Sequence, residues 1–249
     1  MKNDDYIGDR FQELTRYSRS GLTGGGARPA QRAEPFKEYP GARLVPLGVA
    51  ELPEGSLWRA LAERRSRRAF TDEPMSLSAL SLLVFAAQGR TAKAGKLILR
   101  TAPSAGGLYP VEMYLVINRV SDVLPGVYHY NVRRTALEAV REGDYGREIS
   151  EAALGQGMCG RAAAVFVWTA VKDRCQYKYA QRGWRYIYLD AGHICQNAAL
   201  AATVLGLGFC PIGAFFDDEM NALLGVDGES ETSIYLAAAG PVKPGVDEE

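Results

Sequence analysis

Three short segments hold residue types able to do chemistry together. The first is Thr101-Ala-Pro-Ser-Ala-Gly-Gly-Leu-Tyr-Pro-Val-Glu112. Its adjacent glycines, Gly106 and Gly107, permit positive φ and let a flat ligand approach the backbone with no Cβ in the way. Pro103 and Pro110 stiffen the loop, as suits a preformed site. The competing reading is an ordinary turn entering a strand. The second segment, Arg64-Arg-Ser-Arg-Arg68, offers four guanidinium groups and a hydroxyl. Guanidinium groups meet a phosphate with bidentate geometry, and a serine adds a donor. A solvated basic end of an amphipathic helix, favoured by the macrodipole, is the alternative there. The third segment runs from Arg174 to Tyr186 and pairs Lys178 with Tyr179. A lysine crowded by Arg174, Arg182 and Arg185 is expected to give up its proton near neutral pH and serve as a base, with the tyrosine relaying. A polar helix end with amphipathic side chains competes with that reading.

Other reactive residues read as structural. His193 has no histidine or carboxylate three or four residues downstream, so it is a poor metal ligand and is expected in the core or an interface. His129, between Tyr128 and Tyr130, has the same default. Cys159, Cys175, Cys195 and Cys210 form no CxxC pair and no zinc-like spacing. Asp217 and Asp218 are expected to cap a helix. The glycine of Cys210-Pro-Ile-Gly-Ala-Phe215 could present a backbone N–H to a ligand. The chain shows no Ser-His-Asp arrangement, no phosphate-binding P-loop, no dinucleotide fingerprint after a strand and no nucleic-acid motif.

Formal charge is zero across 249 residues, so no global field draws nucleic acid or an anionic membrane. Any anion must be held by a local cluster. Apolar residues at 47% and charged residues at 23% fit a globular enzyme with a proper core. The stretch from Ala198 to Phe216 is broken by glycines and Pro211, which argues against a membrane span. The expectation is a cytoplasmic protein with reduced thiols and no signal peptide.

These segments need elements to hold them. Residues 1–50 read as an extended N-terminal arm with a short helix over Arg10–Tyr17, and residues 51–245 as the folded domain. Leu57, Ala60 and Leu61 share a helical face. Leu77, Leu80, Leu83, Val84 and Ala87 mark a second helix, stopped by Gly89. Strands are expected at Met113–Asn118, Val127–Asn131 and Leu137–Val140, then a helix over Tyr145–Leu154. The apolar run Ala162–Ala170 reads as a central strand covered on both faces. The longest helical stripe is Tyr186–Leu205, ended by Gly206 and Gly208. A short strand at Phe209–Ile212, a helix at Asp217–Leu224 and a strand at Ile234–Ala239 follow. Helices and strands mix without strict alternation, which points to an α+β fold with a mostly antiparallel central sheet flanked by helices.

Taken in order, these segments resemble the FMN-dependent nitroreductase superfamily. Within it they look most like the SagB/McbC-type dehydrogenases, which oxidise azolines to azoles in ribosomal peptides. The likeness runs from about Ser56 to Pro241. It rests on Arg-Arg-Ser-x-Arg, Pro-Ser-Ala-Gly-Gly-Leu-Tyr-Pro-Val-Glu, Gly126-Val-Tyr-His-Tyr130, Lys178-Tyr179 with Arg182 and Arg185, Ala191-Gly-His-Ile-Cys-Gln-Asn197, and Gly206-Leu-Gly followed by Pro211-Ile-Gly-Ala-Phe. Each is weak alone and the ordered set is specific. Gly213-Ala214 stands where broader nitroreductases usually carry Glu-Gly, which fits the SagB-type branch.

The resemblance implies a nitroreductase-like fold and an FMN site between the two subunits of a homodimer. Arg64, Arg65, Ser66 and Arg68, with Lys243, would hold the phosphate. Pro103, Ser104, Ala105 and Gly107 would line the isoalloxazine, and Gly213 and Ala214 would approach its N5 edge. Gln196 and Asn197 would reach the flavin from the neighbouring chain. Lys178 and Tyr179 would be catalytic. The implied activity is dehydrogenation of thiazoline or oxazoline rings in a peptide substrate, with a cyclodehydratase complex as the implied partner. Two other readings compete: a general NAD(P)H-dependent nitro or quinone reductase, and a mainly structural flavoprotein subunit of a peptide-modifying complex.

Overall fold

The computed structural model describes residues 34–47, 57–95 and 97–243. The helix expected over Arg10–Tyr17 lies outside them. Seven strands form one sheet in the order β1-β6-β5-β4-β7-β9-β8, where β1 is Leu44–Pro46, β4 Val111–Ile117, β5 Gly126–Asn131, β6 Ala136–Glu142, β7 Ala164–Val171, β8 Gly208–Ile212 and β9 Glu231–Gly240. Every pairing within it is antiparallel. A separate hairpin joins β2 (Arg90–Ala94) to β3 (Leu97–Arg100). The helices are α1 Leu57–Glu63, α2 Leu77–Gln88, α3 Gly146–Ala152, α4 Met158–Arg161, α5 Asp173–Tyr179, α6 Gly183–Val204 and α7 Asp217–Leu224.

The sheet is covered on both faces, and the strand sequences show why. Along β4, Met113, Leu115 and Ile117 enter one core while Tyr114 and Val116 enter the other, the two-residue alternation of a pleated strand. Along β7, Phe166 and Trp168 join the first core and Val165 and Val167 the second. Register sets Leu115 beside Phe166 and Ala237 on its other side, so small side chains of β9 leave room for rings. The first core is roofed by α2 and α6 through Leu80, Leu83, Ile187, Ile194 and Ala198. The second is closed by α3 and α7 through Ile149, Met220 and Leu224. Trp168 is fully buried, and truncating such a side chain costs about 3–5 kcal/mol.

Several expectations are corrected. The arginine run follows the helix rather than lying within it: α1 stops at Glu63 and residues 64–69 form an irregular connection, with Arg64 N donating to Ala60 O and Arg65 Nη1 to Ala62 O at the helix C-terminus. Of the face shared by Leu57, Ala60 and Leu61, Ala60 is buried while Leu57 and Leu61 are 58% and 46% exposed. Asp217 and Asp218 are not caps but lie in the first turn of α7, where Phe216 is the N-cap without a side-chain bond. There they act on the helix N-terminus through charge. Gly89 ends α2 in an extended conformation rather than a left-handed one. Within the segment expected as an arm, β1 pairs with β6 and Val45 is buried. The hairpin was not foreseen because β2 is exposed throughout and carries no apolar alternation.

Candidate functional site

The glycine segment forms a tight turn after β3. Ser104 Oγ donates to Asp190 Oδ2 of α6 at 2.6 Å and accepts from Tyr109 N at 2.8 Å. Ala105 N donates to Asp190 Oδ1 at 3.2 Å. Gly106 and Gly107 then take φ of 64° and 66°, a region in which a side chain is strained. A Cβ on Gly106 would lie 2.6 Å from the Tyr179 hydroxyl and 2.9 Å from Lys178 Nζ. The fold therefore brings the glycine turn against the Lys178–Tyr179 pair, and the missing Cβ is what allows that close approach. Beneath the turn, the cavity lined by Gln88, Arg100, Ser104, Tyr109 and Asp190 holds only about 10 Å³. That is room for no more than a water.

Lys178 and Tyr179 end α5, a seven-residue helix that follows β7. Lys178 is exposed and its Nζ lies 5.2 Å from the Tyr179 ring centroid. Tyr179 packs edge-on against Tyr186 with ring centroids 4.7 Å apart. Arg174, expected to crowd Lys178, is instead 3% exposed and paired with Glu112. A strained residue separates α5 from α6: Ala180 has φ of 47° and ψ of −141°, a region that glycine tolerates and alanine does not.

The phosphate candidates gather elsewhere. Arg67 N donates to Phe209 O at 3.2 Å, Phe70 bridges Val242, and Thr71 N donates to Pro241 O at 2.9 Å. Arg64, Arg65, Ser66 and Arg68 thus run beside the start of β8 and the segment carrying Lys243. None of the described ion pairs includes Arg64, Arg65, Arg68 or Lys243. Arg65 Nη1 reaches only the carbonyls of Ala62 and Arg64, and Arg68 Nη1 that of Ser66 at 3.4 Å.

One protomer does not bring this cluster to the glycine turn. The turn is tied to Asp190, whereas β8 begins just past Leu207, whose N–H donates to Ala202 O. The helical rise from Asp190 to Ala202 is about 18 Å. Gly213 and Ala214 are exposed at the far end of β8, where Ala214 O accepts from Gln156 Nε2 at 3.0 Å. Gln196 is exposed and Asn197 half-buried on α6. Pro103 is exposed on the glycine turn.

Two residues were missed in the sequence. Asp190 is the acid on the buried stripe of α6, and burial raises its pKa against the bonds from Ser104 and Ala105. Its signal was an acid among Ile187, Ala191 and Ile194, three residues upstream of His193. His193 itself is exposed, correcting the core reading, and its charge acts on Asp190. The other is Glu112. Burial pushes its carboxyl up, but Arg174, His129 and Arg100 outweigh that and hold it well below the usual range. His129 satisfies its default: Nε2 meets Glu112 Oε2 at 3.0 Å and Nδ1 meets Glu138 Oε2 at 3.1 Å.

No helix of the described residues is long and apolar enough to cross a membrane. The family profile described as the nitroreductase family matches residues 61–240. A nitroreductase-type protein of Methanocaldococcus jannaschii is 37% identical over 176 residues, covering 71% of this chain and 87% of that one. The microcin B17-processing protein McbC of Escherichia coli is 30% identical over 117 residues, 44% of this chain and 42% of McbC. A crystal structure of a nitroreductase-type protein from Anabaena variabilis superposes with a TM-score of 0.77 at 28% identity, covering 94% of this chain and 46% of that one. The chain spans less than half the length of McbC and of the Anabaena protein. With this fold, these motifs in this order and these relatives, the chain belongs to the nitroreductase family of oxidoreductases and groups with its SagB/McbC-type members.

Proposed function

We propose that this protein binds FMN and dehydrogenates thiazoline or oxazoline rings in a ribosomally made peptide. The observation that carries the reading is the approach of Gly106 to Lys178 Nζ and Tyr179 Oη, which sets an acid–base pair against the glycine turn. The donor set fits the cofactor. Arg64, Arg65, Arg68 and Lys243 supply cations without described carboxylate partners for a phosphate, and Ser66 adds a hydroxyl donor.

When bound, FMN supplies the two-electron acceptance that no side chain of the protein offers. The protein handles the proton. Lys178 Nζ takes it from the ring carbon of the substrate, and the Tyr179 hydroxyl relays it. Pro103, Ser104, Ala105 and Gly107 orient the flat group, with Ser104 and Ala105 held by Asp190. Gly213, Ala214, Gln196 and Asn197 complete the pocket.

This reading includes a homodimer and a peptide-modifying assembly. The distance along α6 between the arginine cluster and the glycine turn supports a site completed by a second copy. So does the exposed apolar surface of Leu57, Trp58 and Leu61 on α1 with Tyr188 and Leu189 on α6. McbC, as a processing protein, supports the peptide substrate.

The test is turnover of a synthetic thiazoline peptide by purified protein with released FMN identified by its spectrum. Loss of two hydrogens per ring by mass spectrometry is the expected result, abolished by Lys178→Ala and Tyr179→Phe. Consumption of NADPH with nitrofurazone and no change in the peptide would replace it with a general reductase.

A further inference from the structure

We infer that Arg174 is the positioning residue of the Lys178–Tyr179 pair, an inference resting on the proton-handling role proposed for that pair. Neither Lys178 Nζ nor Tyr179 Oη makes a hydrogen bond among the described residues; the Tyr179 ring packs on the core and edge-on against Tyr186, and Lys178 Nζ stands over the Tyr179 ring. With no hydrogen bond to fix the two polar atoms, their position along the turn depends on the backbone that carries them.

That backbone is α5, and α5 is a poor helix by itself. Seven residues fall well short of the dozen or more an isolated helix needs. Its N-cap, Lys172, makes no side-chain capping bond, and its C-terminus runs into the strained Ala180. Cys175, Tyr177 and Tyr179 pack it on the core, and its polar anchor is Arg174 in the first turn. Arg174 Nε donates to Glu34 O at 2.6 Å, and Nη1 reaches both the Glu112 carboxylate and Tyr109 O, the latter at 3.4 Å. One guanidinium thereby joins the helix to the segment before β1, to the glycine turn and to the start of β4.

The geometry ties this anchor to the pair. Arg174 and Lys178 are four residues apart, one turn along the same face. The turn residues run alongside: Tyr109 and Glu112 lie at Arg174, and Gly106 lies at Lys178 and Tyr179. Glu112 is itself fixed from behind by His129, which Glu138 grips on its other nitrogen. Arg174 thus sets how far α5 slides along the turn, and so where Nζ and Oη stand. A lysine at this position keeps the charge opposite Glu112 but has no planar fork to reach three acceptors in fixed directions.

The experiment compares Arg174→Lys with Lys178→Ala in the full-length protein. Three readouts are taken: hydrogen exchange over residues 104–109 and 173–180, flavin content, and kcat and KM on a synthetic thiazoline peptide. For Arg174→Lys we expect exchange in those two segments to quicken by about tenfold or more while the sheet is unchanged. Flavin content stays at the wild-type level, KM stays within about twofold, and kcat falls by about ten- to a hundredfold, the effect of a misplacement near 1 Å. Unchanged exchange overturns the inference, as does wild-type kcat in Arg174→Lys beside an inactive Lys178→Ala. Loss of flavin together with raised KM also overturns it, since it would show a general structural role. If Lys178→Ala keeps full turnover, the proton role of the pair fails instead, and the exchange data alone then decide whether Arg174 holds α5.

Discussion

On the sheet face near residues 34–47, Glu112, His129, Glu138 and Arg174 are buried and satisfy one another. Along residues 64–68, Arg64, Arg65 and Arg68 meet no carboxylate in the described ion pairs. The same residue types serve opposite ends. A buried charge must find a protein partner, because the interior offers no other source of compensation. A cation left near the surface without a carboxylate partner keeps its charge, and the donors not spent on backbone carbonyls, for a ligand. Register builds the first region: Tyr114, His129 and Glu138 are direct cross-strand neighbours, and Glu112 lies opposite Thr169. Tyr39 N and Asn131 Nδ2 complete the bonds to Glu138, and Lys37 pairs with Glu231. The end of a helix builds the second, since α1 stops before the arginines.

The sharpest way to break this contrast is to remove one buried partner. Glu112→Ala leaves Arg174 and His129 facing each other without their shared carboxylate, and we expect a loss of about 3–5 kcal/mol in urea unfolding. A loss below about 1 kcal/mol would mean that the cluster is not the closed unit described. Next comes the contact between the two halves of the site. Gly106→Ala must adopt positive φ and displace Lys178 or Tyr179, costing about 1–2 kcal/mol and at least tenfold in turnover. A fully active, equally stable variant would remove the reason given for this glycine.

The surface cluster should respond in the opposite way. Arg65→Ala and Arg68→Ala are expected to shift Tm by no more than about 2 °C. FMN affinity, measured by fluorescence titration, should weaken by about tenfold or more for each. A large fall in Tm with unchanged FMN affinity would reverse the assignment of the two regions.

The pH dependence refines the picture. Burial lowers the His129 pKa, but its bonds to Glu112 and Glu138 outweigh that and raise it above the ordinary 6.5. Its contribution to stability is therefore full below about 6.5 and is lost as pH rises through the raised folded value. Glu112 is depressed, so its contribution is present above about 4.5 and is lost only as pH falls through its folded value. Stability should decline on the alkaline side, and His129→Gln should flatten that slope in urea titrations. The smallest effect is at the α5–α6 junction. Ala180→Gly relieves a conformation that favours glycine and should add about 1 kcal/mol.

Much of the fold was legible because the local pattern and the final environment agree. Ala162–Ala170 and Tyr186–Leu205 are apolar at the right period and become β7 and α6. The hairpin of β2 and β3 was illegible because an exposed strand has no alternation to read. In the site, motif spacing marked Ser104, Gly106, Lys178 and Tyr179, yet it gave no role to Asp190 or Glu112 and set Arg174 beside Lys178 rather than on Glu112.

By itself the sequence determined which residues could do chemistry and which segments would be strands and helices, since both follow from residue type and short-range periodicity. Only the tertiary structure decided which charges neutralise one another and which stay available. Arg174 and Glu112 stand 62 residues apart, and Ser104 and Asp190 stand 86 apart. They meet because the β4–β7 register and the packing of α6 on the sheet bring them together. Pairing of that kind depends on distance in space and on exclusion of water, and neither is a property of the local chain.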